Sequence, residues 1–181
     1  MNRCLVIGIG SVGHAVFQKV QFPFPYMYFM PTQKQQNITN WHFAKFQFKP
    51  NDGNYFVGKR GILHYYNRQQ ELDIEFFQLY DEAIVFGGVG GSAAGRILVD
   101  MVDFLHFMNY KVTVIAQIPT RFESNLRQEN AKKVLESLPL STIKIENTIE
   151  YMPTKDLYAL ADEEILATIR KILTVKTDIK K

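Results

Sequence analysis

Two stretches of this chain carry residue types that can hold an anion. The first is Gly8-Ile9-Gly10-Ser11-Val12-Gly13, a G-x-G-x-x-G run that follows the apolar segment Cys4-Leu5-Val6-Ile7. The second is Gly87-Gly88-Val89-Gly90-Gly91-Ser92-Ala93-Ala94-Gly95, which follows the apolar segment Ala83 to Phe86. Each is read as a strand-to-helix junction. Glycine lets the backbone approach a phosphate closely, and the N-terminus of the following helix carries partial positive charge that favours an anion. Ser92 adds a hydroxyl donor. The alternative is purely structural: glycines also permit tight turns and close helix–strand packing. The first motif taken alone suggests a dinucleotide site. That chemistry expects an acidic residue roughly 20 positions on, at the end of the second strand, to hold ribose hydroxyls. No Asp or Glu occurs before Asp52, and the nearest cation for an NADP phosphate is Lys34. An NAD(P) protein is therefore the weakest of the readings kept open.

The elements that must position these turns follow from the apolar pattern. Strands are expected at Cys4–Ile9, Tyr26–Met30, Phe43–Phe48, Tyr55–Val57, Ala83–Phe86, Val112–Ala116 and Ile143–Ile149. Helices are expected at Val12–Val20, Tyr65–Leu79, Ser124–Leu138 and Asp156–Leu173. A further helix follows the second glycine run, with Leu98, Met101, Val102, Leu105 and Met108 at spacings of three and four. Proline punctuates the pattern at Pro23, Pro25, Pro31 and Pro139, where a helix or strand cannot continue. Continuous apolar strands alternating with helices indicate a parallel sheet covered on both faces. The expected fold is a single doubly wound α/β domain over residues 1–173, with a basic tail at 174–181. In such sheets a ligand sits beyond the carboxyl ends of the strands, near a topological switch point.

The arrangement resembles the nucleotide-binding domain of the tubulin/FtsZ superfamily, from about Arg3 to about Leu173. The first glycine loop of that family looks like Val6 through Val16, which includes Gly8, Gly10, Ser11, Gly13 and His14, one glycine shorter. Its phosphate loop, G-G-G-T-G-[ST]-G, aligns with Val89 through Gly95: Gly90, Gly91 and Gly95 hold, Ser92 stands for Thr, and Ala93 and Ala94 depart. FtsZ then has a strand, a proline and F-E-G-x-x-R. This chain has Val112-Thr113-Val114-Ile115, Pro119 and Phe122-Glu123-Ser124-Asn125-Leu126-Arg127. The resemblance implies that Glu123 holds the ribose hydroxyls and that Arg127 lies against the nucleotide. The alternative is an i,i+4 surface ion pair, worth only about 0.3–0.5 kcal/mol. The family's central helix opens with an aromatic that stacks on guanine and an Asn or Asp four residues later that reads its edge. Tyr158 and Asp162 match that spacing, which puts both on one helix face. A carboxylate accepts from two guanine donors that adenine lacks. A further family base contact, an Asn after Ile-Pro, is replaced by Thr154 after Met152-Pro153.

The resemblance thus implies a bound GTP or GDP, with magnesium arriving only with the nucleotide. In the family, hydrolysis needs acidic residues on a loop beyond the central helix, followed by a second domain. The sequence ends at Lys181, where that loop is expected, and Asp178 is the only acid near it. The expectation is a guanine-nucleotide-binding domain, regulatory or partner-binding, with at most weak GTPase activity and no cooperative filaments by itself. Its partners would be itself or a longer relative. Gly58-Lys59-Arg60-Gly61 stands where the family has a loop that senses the terminal phosphate. A nucleotide-free scaffold of the same fold remains the alternative, favoured by Ala93, Ala94 and Thr154.

Composition excludes other classes. With 46% hydrophobic and 22% charged residues, the bulk of the chain is not disordered. A net charge of +3 is too small to argue for a nucleic-acid partner. No apolar run approaches the ~18 residues of a membrane helix, so no membrane partner is expected. Cys4 is the sole cysteine, which forbids an internal disulfide and suits a buried thiol. His14, His42, His64 and His106 have no metal spacing. A cytoplasmic protein is expected.

Overall fold

The computed structural model describes residues 4–19, 26–29, 56–57, 62–65, 68–71, 77–146 and 152–178. Five strands form one sheet: β1 (Cys4–Ile9), β2 (Tyr26–Phe29), β6 (Glu82–Gly88), β7 (Lys111–Gln117) and β8 (Ile143–Ile145). Their order is β2-β1-β6-β7-β8, and every neighbouring pair is parallel. Among the described residues four full helices accompany them: α1 (Gly10–Lys19), α2 (Ser92–Phe107), α3 (Asn125–Ser137) and α4 (Thr154–Asp178).

Strand alternation divides the apolar side chains between two cores. Leu5, Ile7 and Ile9 of β1, Ala83 and Val85 of β6, and Val114 and Ala116 of β7 pack with Ile97, Leu98, Met101 and Leu105 of α2 and Ala131 of α3. Cys4, Val6, Ile84, Phe86 and Ile115 face the other way. They pack with Val16 and Phe17 of α1 and with Ala161, Ile165 and Ile169 of α4. Burial on both faces explains why these strands read as unbroken apolar runs. An edge-to-face ring pair anchors each core: Phe17 on Phe86, with centroids 5.3 Å apart, and Phe77 on Phe104, at 5.1 Å. The Tyr110 hydroxyl donates to the Phe77 carbonyl, which satisfies the polar tip of a buried ring. Cys4 is buried, as its apolar setting required.

A second, three-stranded antiparallel sheet holds β3 (Phe56–Val57), β4 (Ile62–Tyr65) and β5 (Arg68–Glu71), in that order. It corrects the first part of the helix expected over Tyr65–Leu79; residues 72–76 lie outside the described residues, and Phe77 is helical. Arg68–Glu71 instead pairs with Ile62–Tyr65, closing on Tyr65 and Arg68. The helical expectation rested on Leu72, Phe76 and Leu79 alone. The segment Arg-Gln-Gln-Glu has no apolar residue to hold a helix against a core, so cross-strand hydrogen bonding decides its conformation. The strand expected at Phe43–Phe48 and the loop Gly58–Gly61 lie outside the described residues.

Candidate functional site

The chain leaves β1 towards β2 on one side, whereas β6 lies on the other. The switch point therefore falls between β1 and β6. A cleft of about 390 Å³ opens there, at the carboxyl ends of β1, β6 and β7. Ile9, Gly88 and Gln117 are the last residues of those strands, and all three line it.

The first glycine run forms one wall. Gly10 starts α1 with φ +67°, a left-handed conformation that a side chain disfavours. A Cβ there would stand 2.9 Å from the Ala94 Cβ, so the starts of α1 and α2 are in close contact. Ser11 is exposed and lines the cleft. Gly8 and Gly13 have a different task. A Cβ on Gly13 would lie 2.6 Å from the Gly8 carbonyl carbon, so α1 sits on β1 backbone to backbone. His14 is half-buried and does not line the cleft.

The second run lies beside the first. Gly91 caps α2 in an extended conformation with no side-chain hydrogen bond to the cap. The first amides of a helix have no partner within it, so a helix start beside a cleft can hold an anion. Gly90 and Gly91 both line the cleft, and a Cβ on Gly91 would meet nothing closer than 4.0 Å. Gly90 is tighter, with Pro119 and the Arg127 Nε 3.1–3.3 Å from its missing Cβ. Ser92 opens α2. Gly95 serves packing: its missing Cβ would fall 2.6 Å from Val134 Cγ2 on α3.

Arg127, Tyr158 and Asp162 complete the lining. The turn before α3 is tied together by side chains. Glu123 Oε1 accepts from the Thr120 amide at 2.8 Å, and Gln128 Nε2 donates to the Thr120 carbonyl at 2.5 Å. Glu123 Oε2 pairs with the Arg127 Nε. The Tyr158 hydroxyl also bonds Glu123, and burial together with that carboxylate pushes it up to about 12. Glu123 is thus enclosed by its neighbours and does not line the cleft, whereas Arg127 and Tyr158 do. Asp162 lines the cleft and is only 7% exposed. Burial raises its pKa to about 6, although Lys19 opposes the shift. Lys19 Nζ lies 3.8 Å from Asp162 Oδ2 and donates to the Ala159 carbonyl at 3.0 Å, which fastens the end of α1 to the start of α4. Thr154 begins α4 and is exposed.

The cleft therefore gathers Gly90, Gly91, Ser11, Arg127, Tyr158 and Asp162, and leaves Gly8, Gly10, Gly13, His14, Gly95 and Glu123 off its surface. Two contributors were missed from the sequence. Gln117 is buried and lines the cleft; its signal is a polar residue closing an otherwise apolar strand. Lys19 carries no signal in sequence, because its partners lie on α4. Among the described residues no group of three His, Cys, Asp or Glu side chains converges to hold a metal, and no helix is long and apolar enough to cross a membrane.

Solved structures with this architecture decide the fold. The chain superposes on CetZ from Methanosaeta thermophila with a TM-score of 0.65 at 15% identity, covering 96% of this chain and 54% of that one. The chain has the tubulin/FtsZ fold. The GDP-bound phage tubulin PhuZ matches at TM-score 0.63 and 14% identity, over 97% of this chain and 56% of its own. A GTPγS-bound protofilament of CetZ2 from Haloferax volcanii matches at 0.57 and 14%, over 96% and 58%. The tubulin/FtsZ-like chain thus spans little more than half the length of these structures. No family model and no curated protein sequence matches it.

Proposed function

We propose that the cleft binds a guanine nucleotide, GTP or GDP, with its phosphates towards the starts of α1 and α2 and its base beside Tyr158 and Asp162. The observation that carries this reading is the make-up of the cleft lining: Gly90 and Gly91 before the start of α2 and the Ser11 hydroxyl of α1, together with an aromatic ring and a buried carboxylate, both on α4. A carboxylate can accept from the N1–H and exocyclic amino group of guanine together, and adenine has no such pair. Arg127, beside Gly90, is a planar cation able to stack or to donate. Magnesium would enter with the phosphates. Among the described residues Asp162 is the only carboxylate lining the cleft, and it is assigned to the base. The reading therefore gives hydrolysis no general base and expects phosphate release near background.

Self-association belongs to the same proposal, because the similar structures include a PhuZ201 filament and the CetZ2 protofilament. Cytoplasmic action also belongs to it, since one free buried cysteine suits a reducing compartment. A second reading, a nucleotide-free partner-binding module, is favoured by the enclosure of Glu123. Calorimetric titration separates the two. Binding of GDP or GTP, without binding of ATP or NAD, supports the nucleotide site. No heat at millimolar nucleotide, with no guanine absorbance released on denaturation, rejects it.

A further inference from the structure

We propose that the Gln117 side-chain amide donates a hydrogen bond to a phosphate oxygen of the bound nucleotide; this rests on the nucleotide reading of the cleft. Neighbouring polar groups at that wall are already engaged. The Val89 amide donates to the Gln117 carbonyl at 3.1 Å, and the Ile118 amide to the Ile145 carbonyl at 2.9 Å. Glu123 is held by Thr120, Arg127 and Tyr158. The Gln117 side chain and the Thr120 hydroxyl remain, and of the two only Gln117 lines the cleft. It is 3% exposed and lines the cleft, yet its Nε2 has no hydrogen-bond partner. A buried donor left unpaired is costly, which makes a ligand acceptor the natural completion.

Its place favours phosphate over base. Gln117 pairs across the sheet with Gly88, three residues before the Gly91 cap of α2. Gln117 Oε1 lies 3.7 Å from where a Gly88 Cβ would stand, and Val12 Cγ2 lies 3.0 Å from the same point. The absent side chain of Gly88 thus leaves a slot between Val12 and the amide, at the foot of the glycine loop. A half-turn of the terminal amide exchanges Nε2 for Oε1 there, and that torsion is broad and roughly two-fold. The amide then completes an anion site whose other donors are backbone N–H groups at the start of α2. This amide is neutral, so it adds a directional donor without adding charge.

The test is calorimetry of the full chain with GDP and, separately, guanosine. Gln117→Met keeps the length and approximate volume of the side chain but removes the donor. It should weaken GDP about ten- to hundred-fold, the range for a hydrogen bond to a charged group, and leave guanosine within two-fold. Gln117→Glu sets a carboxylate against the phosphate and should lose GDP further while retaining guanosine. Equal losses for both ligands, or GDP affinity unchanged in either variant, would overturn the proposal. A wild-type chain that binds neither ligand would overturn the nucleotide reading and this inference with it. If the variants do not fold, the wild-type side-chain NH₂ resonance of Gln117 decides. A shift with GDP and none with guanosine supports the contact; equal shifts, or no shift with GDP, overturn it.

Discussion

Replacing Asp162 by Asn should stabilise the ligand-free protein, and should do so only where the carboxyl is ionised. Burial moves the Asp162 pKa from the ordinary 3.8 to about 6, even with Lys19 beside it. A folded value above the unfolded one means that the native state holds the proton more tightly. The stabilising effect of the protonated group is complete below pH 3.8 and is lost as pH rises through about 6. The shift is about two units, so at pH 8 the ionised group costs about 3 kcal/mol relative to its acid form. Asn is nearly isosteric and does not titrate. The Asp162→Asn protein should therefore match the wild type near pH 4 and exceed it by up to about 3 kcal/mol at pH 8. For a domain of this size that corresponds to a rise of roughly 6–12 °C in melting temperature. Thermal unfolding followed by circular dichroism at pH 4, 6 and 8, without nucleotide, measures it. A difference independent of pH, or an Asn variant less stable at pH 8, would refute the argument. Either result would mean that Lys19 compensates the buried charge in full.

Three further outcomes are expected. GDP affinity should fall about ten-fold per pH unit below 6, because the protonated carboxyl no longer accepts from both guanine donors; the Asp162→Asn profile should be flat, as titration calorimetry across pH 5–8 would register. Gly13→Ala places a Cβ 2.6 Å from the Gly8 carbonyl carbon and should cost about 1–3 kcal/mol in urea unfolding through overpacking. Tyr158→Phe removes the hydroxyl bonded to Glu123 but keeps the ring; about 0.5–1.5 kcal/mol of stability should be lost, with GDP affinity within two-fold.

Much of the sheet was legible in sequence because β1, β6 and the latter half of β7 are buried on both faces. β1, β2, β6 and β7 stand out as apolar runs, and α2 shows its core face at Leu98, Met101, Val102 and Leu105. The β4–β5 hairpin was not legible: Arg68–Glu71 has neither a helical nor a strand pattern, and its partner strand alone fixes it. The glycine junctions could be located, but not sorted. Whether a glycine lines a cleft, as Gly91 does, or seats one backbone on another, as Gly8 and Gly13 do, depends on what stands where its Cβ would be. The spacing of four predicted that Tyr158 and Asp162 share a face, and both line the cleft. Their supports arrive from elsewhere in the chain: Lys19 bonds a carbonyl 140 residues away. No local pattern encodes such a contact.

Among the described residues the two cores lie on opposite faces of the sheet, and the cleft lies at the carboxyl ends of its strands. Gly90 and Gly91 lead into α2, which belongs to one core; Ser11, Tyr158 and Asp162 stand on α1 and α4, which belong to the other. A molecule lying across the cleft would act as a clasp between layers otherwise joined through the sheet and through the close approach of the α1 and α2 starts. Its effect on motion should therefore exceed its own contacts. Amide exchange should slow along the outer turns of α2 and α4 together, and substitutions in opposite cores that add independently in the empty protein should become coupled when the clasp is in place.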